Sequence, residues 1–204
     1  MEVVVALDSR SQNGSLEAVK AVAHRVFVFD TTDEWPEGQL NRVLDEGTRD
    51  WAFLVSDDEW PSDRLWDFAT KVPTLLDPKG RHYLWRVRML APLPDWSAHY
   101  APLETYQPRY FPRESIRWPG GFDQMPASHL EEIDCDLVLW HYTLWSPREY
   151  RERKVAEHER AWRESWALHP WAFPGEASYL WEDHPEHRAS LGALEVHRMG
   201  SIPE

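Results

Sequence analysis

The chain has 204 residues, 42% of them hydrophobic, and a net charge of −13. That is apolar material enough for the core of one compact domain, and its acidity argues against a surface built to grip nucleic-acid phosphate. A lone cysteine, Cys135, excludes an internal disulfide framework and a thiolate zinc cluster, and no apolar run reaches the roughly 20 residues of a membrane span.

Val3-Val4-Val5-Ala6-Leu7 is a β-branched run and predicts a buried strand, followed by the polar turn "DSRSQNG". Ser15 is placed to cap a helix whose apolar residues Leu16, Val19, Val22 and Ala23 share one face. "RVFVF", Arg25 to Phe29, predicts a second strand. After the loop "DTTDEWPEG" a helix is expected with Leu40, Val43 and Leu44 inward, ended by Gly47 in the C′ position. Trp51 to Val55 predicts a third strand. Strand, helix, strand, helix, strand is the pattern of a parallel sheet with crossover helices, in which ligands gather beyond the carboxyl ends of the strands. Asp8 and Asp57-Asp58 both lie at such ends.

Residues 77–126 change character: they are rich in proline and aromatics, with strands expected at His82 to Met89 and near Arg109 to Phe111. A further strand is predicted over Asp136 to His141. "SPRE", Ser146 to Glu149, reads as a capping box with proline in the first helical position, opening a charged helix to about Trp166. The final residues, from about 167, read as an irregular tail or lid. Most of the 13 tryptophans fall between Trp51 and Trp181; tryptophan stacks well on sugar faces and cations, and also serves as plain core material.

"FLVSDDEWPSDRLWDF", residues 53–68, sets Asp57, Asp58 and Glu59 side by side at the mouth of a strand. Adjacent like charges repel, so open water or a cation must offset the cost. The alternative is an acidic first turn for a helix starting near Ser62, favoured by the helix dipole.

Five segments in this order resemble family 2 glycosyltransferases of the GT-A fold, and most closely their lipopolysaccharide-core type. The family's D-S-G-S-x-D-G-T turn stands here as Asp8-Ser9-Arg10-Ser11-Gln12-Asn13-Gly14-Ser15, and its R-N helix pair as Leu40-Asn41. Its acidic D-x-D-E stands as Ser56-Asp57-Asp58-Glu59. "RYFPRESIRWPGGFDQMP" is similar to its segment ending in H-E-x-P, and "LWHYTLWSPREYRERKVAEHERAW" to its H-Y … S … K ending. The resemblance covers residues 3–162. It implies a single GT-A-like (Rossmann-like) α/β domain over residues 1–204, with a mostly parallel sheet flanked by helices and an irregular, aromatic-rich C-terminal part. Within it, residues 1–76 would form the nucleotide-sugar-binding half, 77–166 the acceptor half with the charged helix, and 167–204 the tail. Family members carry a strand and helix ahead of the first turn, whereas here seven residues precede Asp8. Either a later segment or a partner fills that place, or the nucleotide is held less completely, and an exposed sheet edge there would favour a homodimer.

The resemblance further implies a nucleotide-diphosphate-sugar donor and transfer to an acceptor hydroxyl with inversion. The acceptor would be a glycan, a lipid-linked sugar, a protein side chain or a modified base. A divalent cation, Mn²⁺ or Mg²⁺, would bridge the diphosphate, and one or two protein carboxylates suffice to hold it. Asp58 and His141 take the metal positions. Asp8, Ser9, Asn41, Asp57 and Lys154 take donor-binding ones, with Arg151 and Arg153 near Lys154. Glu59 falls to a residue that orients a ligand rather than being one. Asp123 takes the place of the catalytic base, where the family has H-E and this chain Asp123-Gln124; Asp134 and Glu131 are its substitutes. Asp8 has a second reading as an Asx-turn residue, His141 as a structural histidine, and Lys154 as part of a solvated helix face. Ser56 and Gln124, each standing where the family has an acid, favour a non-catalytic GT-A-fold binding or scaffold protein. Phosphoester hydrolysis by an unrelated α/β protein would need a second acidic cluster, which the sequence lacks. The start "MEVVVALDSR" has no basic flank of a signal peptide, so a cytoplasmic location is expected.

Overall fold

The computed structural model describes residues 1–11, 14–30, 36–71, 83–100, 104–118, 127–156, 182 and 188–191. Strand β1 (Val4–Asp8) pairs in parallel with β2 (Arg25–Phe29), in a register running from Val4 opposite Arg25 to Asp8 opposite Phe29. Helix α1 (Ser15–Val22) makes the crossover. Gly14, not Ser15, caps it: Gly14 sits at φ +77, in the left-handed region that glycine enters without penalty, and Ser15 is already helical. The predicted apolar face of α1 is only half covered, with Leu16 and Val19 partly buried and Val22 exposed.

Helix α2 (Pro36–Glu46) packs against β1 and buries Leu44. Gly47 ends it through a bond from its N–H to the Leu44 carbonyl at 3.2 Å. Its backbone is not left-handed; a Cβ there would lie 3.2 Å from the Arg113 Cδ, a tight contact that the arginine side chain would have to relieve by a small shift.

Strand β3 (Trp51–Phe53) belongs to a five-stranded sheet with β4 (Glu59–Pro61), β5 (Tyr83–Leu90), β7 (Thr105–Pro112) and β10 (Glu131–His141), in the order β3-β7-β5-β10-β4. Only β5 and β10 run parallel; the β3–β7, β5–β7 and β4–β10 pairings are antiparallel. The expectation of a mostly parallel sheet is therefore corrected: the protein is mixed α/β, with a mixed principal sheet. Helices α1 and α2 link β1, β2 and β3 in sequence, but β3 does not join β1 and β2: it pairs antiparallel with β7, so the N-terminal strand–helix alternation does not build the principal sheet. Four short strands complete the strand inventory among the described residues. β6 (His99–Tyr100) pairs with β11 (Arg188–Ala189), and β8 (Ile116–Arg117) with β9 (Ala127–Ser128).

Phe111, Ile116, Leu84, Leu44, Leu54 and Trp118 form one core cluster of the sheet and α2. Val87, Met89 and Leu139 join Leu65 of α3 (Asp63–Lys71) in another. β3 and β4 come from residues 1–76 and the three other strands from 77–166, so these two sequence halves share one sheet. Ser62 caps α3, its Oγ accepting the Leu65 N–H at 3.2 Å. Asp57 and Asp58 precede β4 and Glu59 lies in it, so these acids are not the first turn of that helix.

Candidate functional site

Beyond β3 the chain turns sharply. Leu54 is buried and its N–H still bonds the Arg109 carbonyl of β7 at 2.9 Å, whereas Val55, Ser56 and Asp57 face solvent. The chain then re-enters the sheet as β4, whose three residues lie antiparallel to the end of β10 with Glu59 opposite His141. The Tyr142 N–H donates to the Asp58 carbonyl at 2.7 Å, fixing the turn to the residue that follows β10. This pairing brings Asp58 and His141 together, although 83 residues separate them.

Glu59 holds the turn from inside. Its side chain is 2% exposed; Oε2 accepts the Ser56 N–H at 2.8 Å, and Oε1 pairs with the Arg109 guanidinium at 2.5 Å. Its carboxylate is therefore engaged with the turn and with β7. Arg109 was not singled out from sequence; an arginine on the buried side of a strand, with one acid available to it, is the signal that could have found it.

Asp58 Oδ2 lies 3.1 Å from His141 Nε2 and 3.6 Å from the Lys154 ammonium. Lys154 is turned inward from the helix that starts at 148, and it donates to the hydroxyl of buried Thr143 at 3.1 Å. Burial pushes the Asp58 carboxyl up, but the bond and charge of His141 and the charge of Lys154 outweigh it and bring the group down to about 2. The sign follows: a carboxylate with a depressed folded value stabilises the fold above about pH 4, and that stability is lost as pH falls toward 2. Urea denaturation should find wild type more stable than Asp58→Asn by about 1–2 kcal/mol at pH 5, after discounting for partial exposure. The gap should close toward pH 2; a gap independent of pH would show that the carboxylate's charge is not what stabilises.

The other expected residues fall in different places. Asp57 is exposed in the turn beside Asp58. Asp8 ends β1 and forms an Asx turn: Oδ1 accepts the Arg10 N–H at 2.9 Å while Oδ2 pairs with the Arg10 guanidinium at 2.9 Å. Ser9 adjoins it, its N–H bonded to the Phe29 carbonyl at 2.7 Å. Both ends of the Asn41 amide are bonded to the backbone of Trp118, at 2.8 and 2.9 Å, latching α2 to the segment after β8. Asp134 pairs with Arg86 at 2.6 Å and Glu131 starts β10. At about 3.3 Å per residue, both lie roughly 20 Å or more along that strand from His141. Asp123 lies outside the described residues. Arg151 is buried and held by Glu182 and by the Ser146 carbonyl, and Arg153 stacks on Tyr150.

Among the described residues no group of three or more His, Cys, Asp or Glu side chains converges as a metal site. The Asp58–His141 pair nonetheless has the spacing a cation needs. Two neighbouring ligands of an octahedral ion at about 2.1 Å stand about 3 Å apart, which the 3.1 Å between Oδ2 and Nε2 matches. A cation there would rest on two protein donors and take the rest from a ligand and water, as Mg²⁺ and Mn²⁺ commonly do. No protein-family model matches the chain, and no curated protein matches it in sequence. Among the described residues no helix is long and apolar enough to cross a membrane.

Proposed function

We propose that the protein is a glycosyltransferase of GT-A type that moves a sugar from a nucleotide-diphosphate donor to an acceptor hydroxyl with inversion. One observation carries this: Asp58, His141 and the Lys154 ammonium converge at the end of β10, where the family resemblance puts the diphosphate. Transfer forms a bond from the acceptor oxygen to the anomeric carbon and breaks the bond from that carbon to the diphosphate, which leaves with the electron pair. A divalent cation bound to Asp58 and His141 would supply Lewis-acid stabilisation of that leaving group. Lys154 supports the same charge as a point cation aimed by Thr143. Glu59 and Arg109 keep the turn in shape. The acceptor proton passes to a carboxylate, for which Asp123 is the residue the resemblance implies.

A second reading, a non-catalytic member of the fold, is favoured by Asp8 and Asn41. The Asp8 carboxylate grips Arg10 and the Asn41 amide grips Trp118, so two positions implied for the donor serve the chain itself. Titration calorimetry with UDP, GDP, ADP, CDP and dTDP, each with Mn²⁺ and with chelator, decides between them. The transferase reading expects at least one diphosphate to bind in a Mn²⁺-dependent manner; silence from all five would leave the scaffold reading.

A further inference from the structure

Four aromatic rings gather beside Asp58. Trp96 is the hub, meeting Trp140 at 5.4 Å, Tyr142 at 6.1 Å and Trp145 at 5.8 Å between ring centres, each edge to face. Tyr142 meets Trp145 at 5.1 Å in the same manner. Trp140 lies near the end of β10, and Tyr142–Trp145 form the 3-10 turn that follows His141. Trp96 comes from the turn between β5 and β6, closed by the Leu93 N–H to the Ala98 carbonyl at 2.9 Å.

Three features distinguish this cluster from plain core. Trp96 has φ +57, the one non-glycine residue with positive φ among the described residues, and a bulky side chain enters that region only against strain. Trp145 is fixed by its indole N–H on the Pro92 carbonyl at 3.1 Å, yet remains 39% exposed. The Tyr142 hydroxyl is buried with no hydrogen-bond partner among the described residues, a state that calls for a partner. A rigid, partly exposed indole suits a ligand with one apolar face and hydroxyl edges. The same Tyr142 donates its N–H to the Asp58 carbonyl, so the cluster and the acidic turn are mechanically one unit.

We propose that Trp145, backed by Trp96 and Tyr142, is a saccharide platform that seats a neutral sugar of a glycan acceptor. Its role as acceptor site rests on the transferase reading; its ability to bind sugar does not. A quaternary ammonium ligand is the less suited occupant, because the nearby carboxylates are engaged: Asp58 with His141 and Lys154, and Asp95 with Ser97.

The test titrates the full chain with methyl β-D-glucopyranoside, methyl β-D-galactopyranoside and cellobiose, following tryptophan emission and the indole N–H resonance of Trp145. At least one should bind saturably and shift that resonance. Trp145→Ala should weaken binding at least about tenfold, Trp145→Phe by less, and Trp66→Ala, on the exposed face of α3, not at all. No saturable response to any of the three, or binding indifferent to Trp145→Ala, overturns the platform; so does a response to tetramethylammonium alone. The wild-type indole resonance decides the matter even if Trp145→Ala does not fold. Sugar binding without nucleoside diphosphate binding keeps the platform and removes the transferase reading, and the converse result removes only the platform.

Discussion

Replacing Asp58 by alanine should weaken Mn²⁺-dependent binding of a nucleoside diphosphate by at least about 100-fold, since losing even a residue that orients a metal ligand costs about 10–100-fold in metal affinity, and Asp58 is the proposed ligand itself. The reason is local. The Asp58 carboxylate is the acid that faces His141 and Lys154, so its loss would remove one of the two protein donors proposed for the cation. It also leaves an imidazole and an ammonium without the negative charge between them. Asp67→Ala, at an exposed acid of α3 that pairs with Lys71, should leave binding unchanged. Equal affinity of wild type and Asp58→Ala for every diphosphate tested would remove Asp58 from the donor site.

The second large effect concerns stability. Glu59→Ala should cost about 3–5 kcal/mol in urea denaturation, because truncating one partner of a buried pair strands the other charge. Among the described residues, Arg109 would keep its guanidinium beneath the turn with the Met89 sulfur, 3.4 Å away, as its remaining side-chain contact, and its Nε has no partner there. The Ser56 N–H would lose its acceptor as well. Glu59→Leu combined with Arg109→Met should recover much of the loss, since an apolar pair of similar volume carries no desolvation penalty. A cost below about 1 kcal/mol for the single change would mean that water reaches the pair and screens it.

The N-terminal third was the most legible part of the sequence. β1, β2 and α2 follow from β-branched runs, periodic apolar residues and turn residues that act over a few positions. β4 could not be read in this way. Glu59-Trp60-Pro61 carries a proline and an exposed tryptophan, and it is a strand only because residues 139–141 lie alongside. The same long-range pairing decides the site. Local signals placed Asp58 at the end of a strand, but its meeting with His141 was implied only by the family resemblance. The Asn41–Trp118 latch and the Glu59–Arg109 pair had no local signal, because each joins elements far apart in sequence. The positive φ of Trp96 had none either, since nothing about tryptophan predicts it.

The position of β4 has a consequence for how the protein fails under stress. It is one of the two edge strands of the five and, like β3 at the other edge, only three residues long, so it is held by few backbone bonds and opens more readily in local fluctuations than the central strands. Such opening parts Asp58 from His141 while the central strands β5, β7 and β10 stay protected. Loss of the Asp58–His141 contact and loss of the fold are therefore separable events, and warming is expected to part that pair before it melts the core.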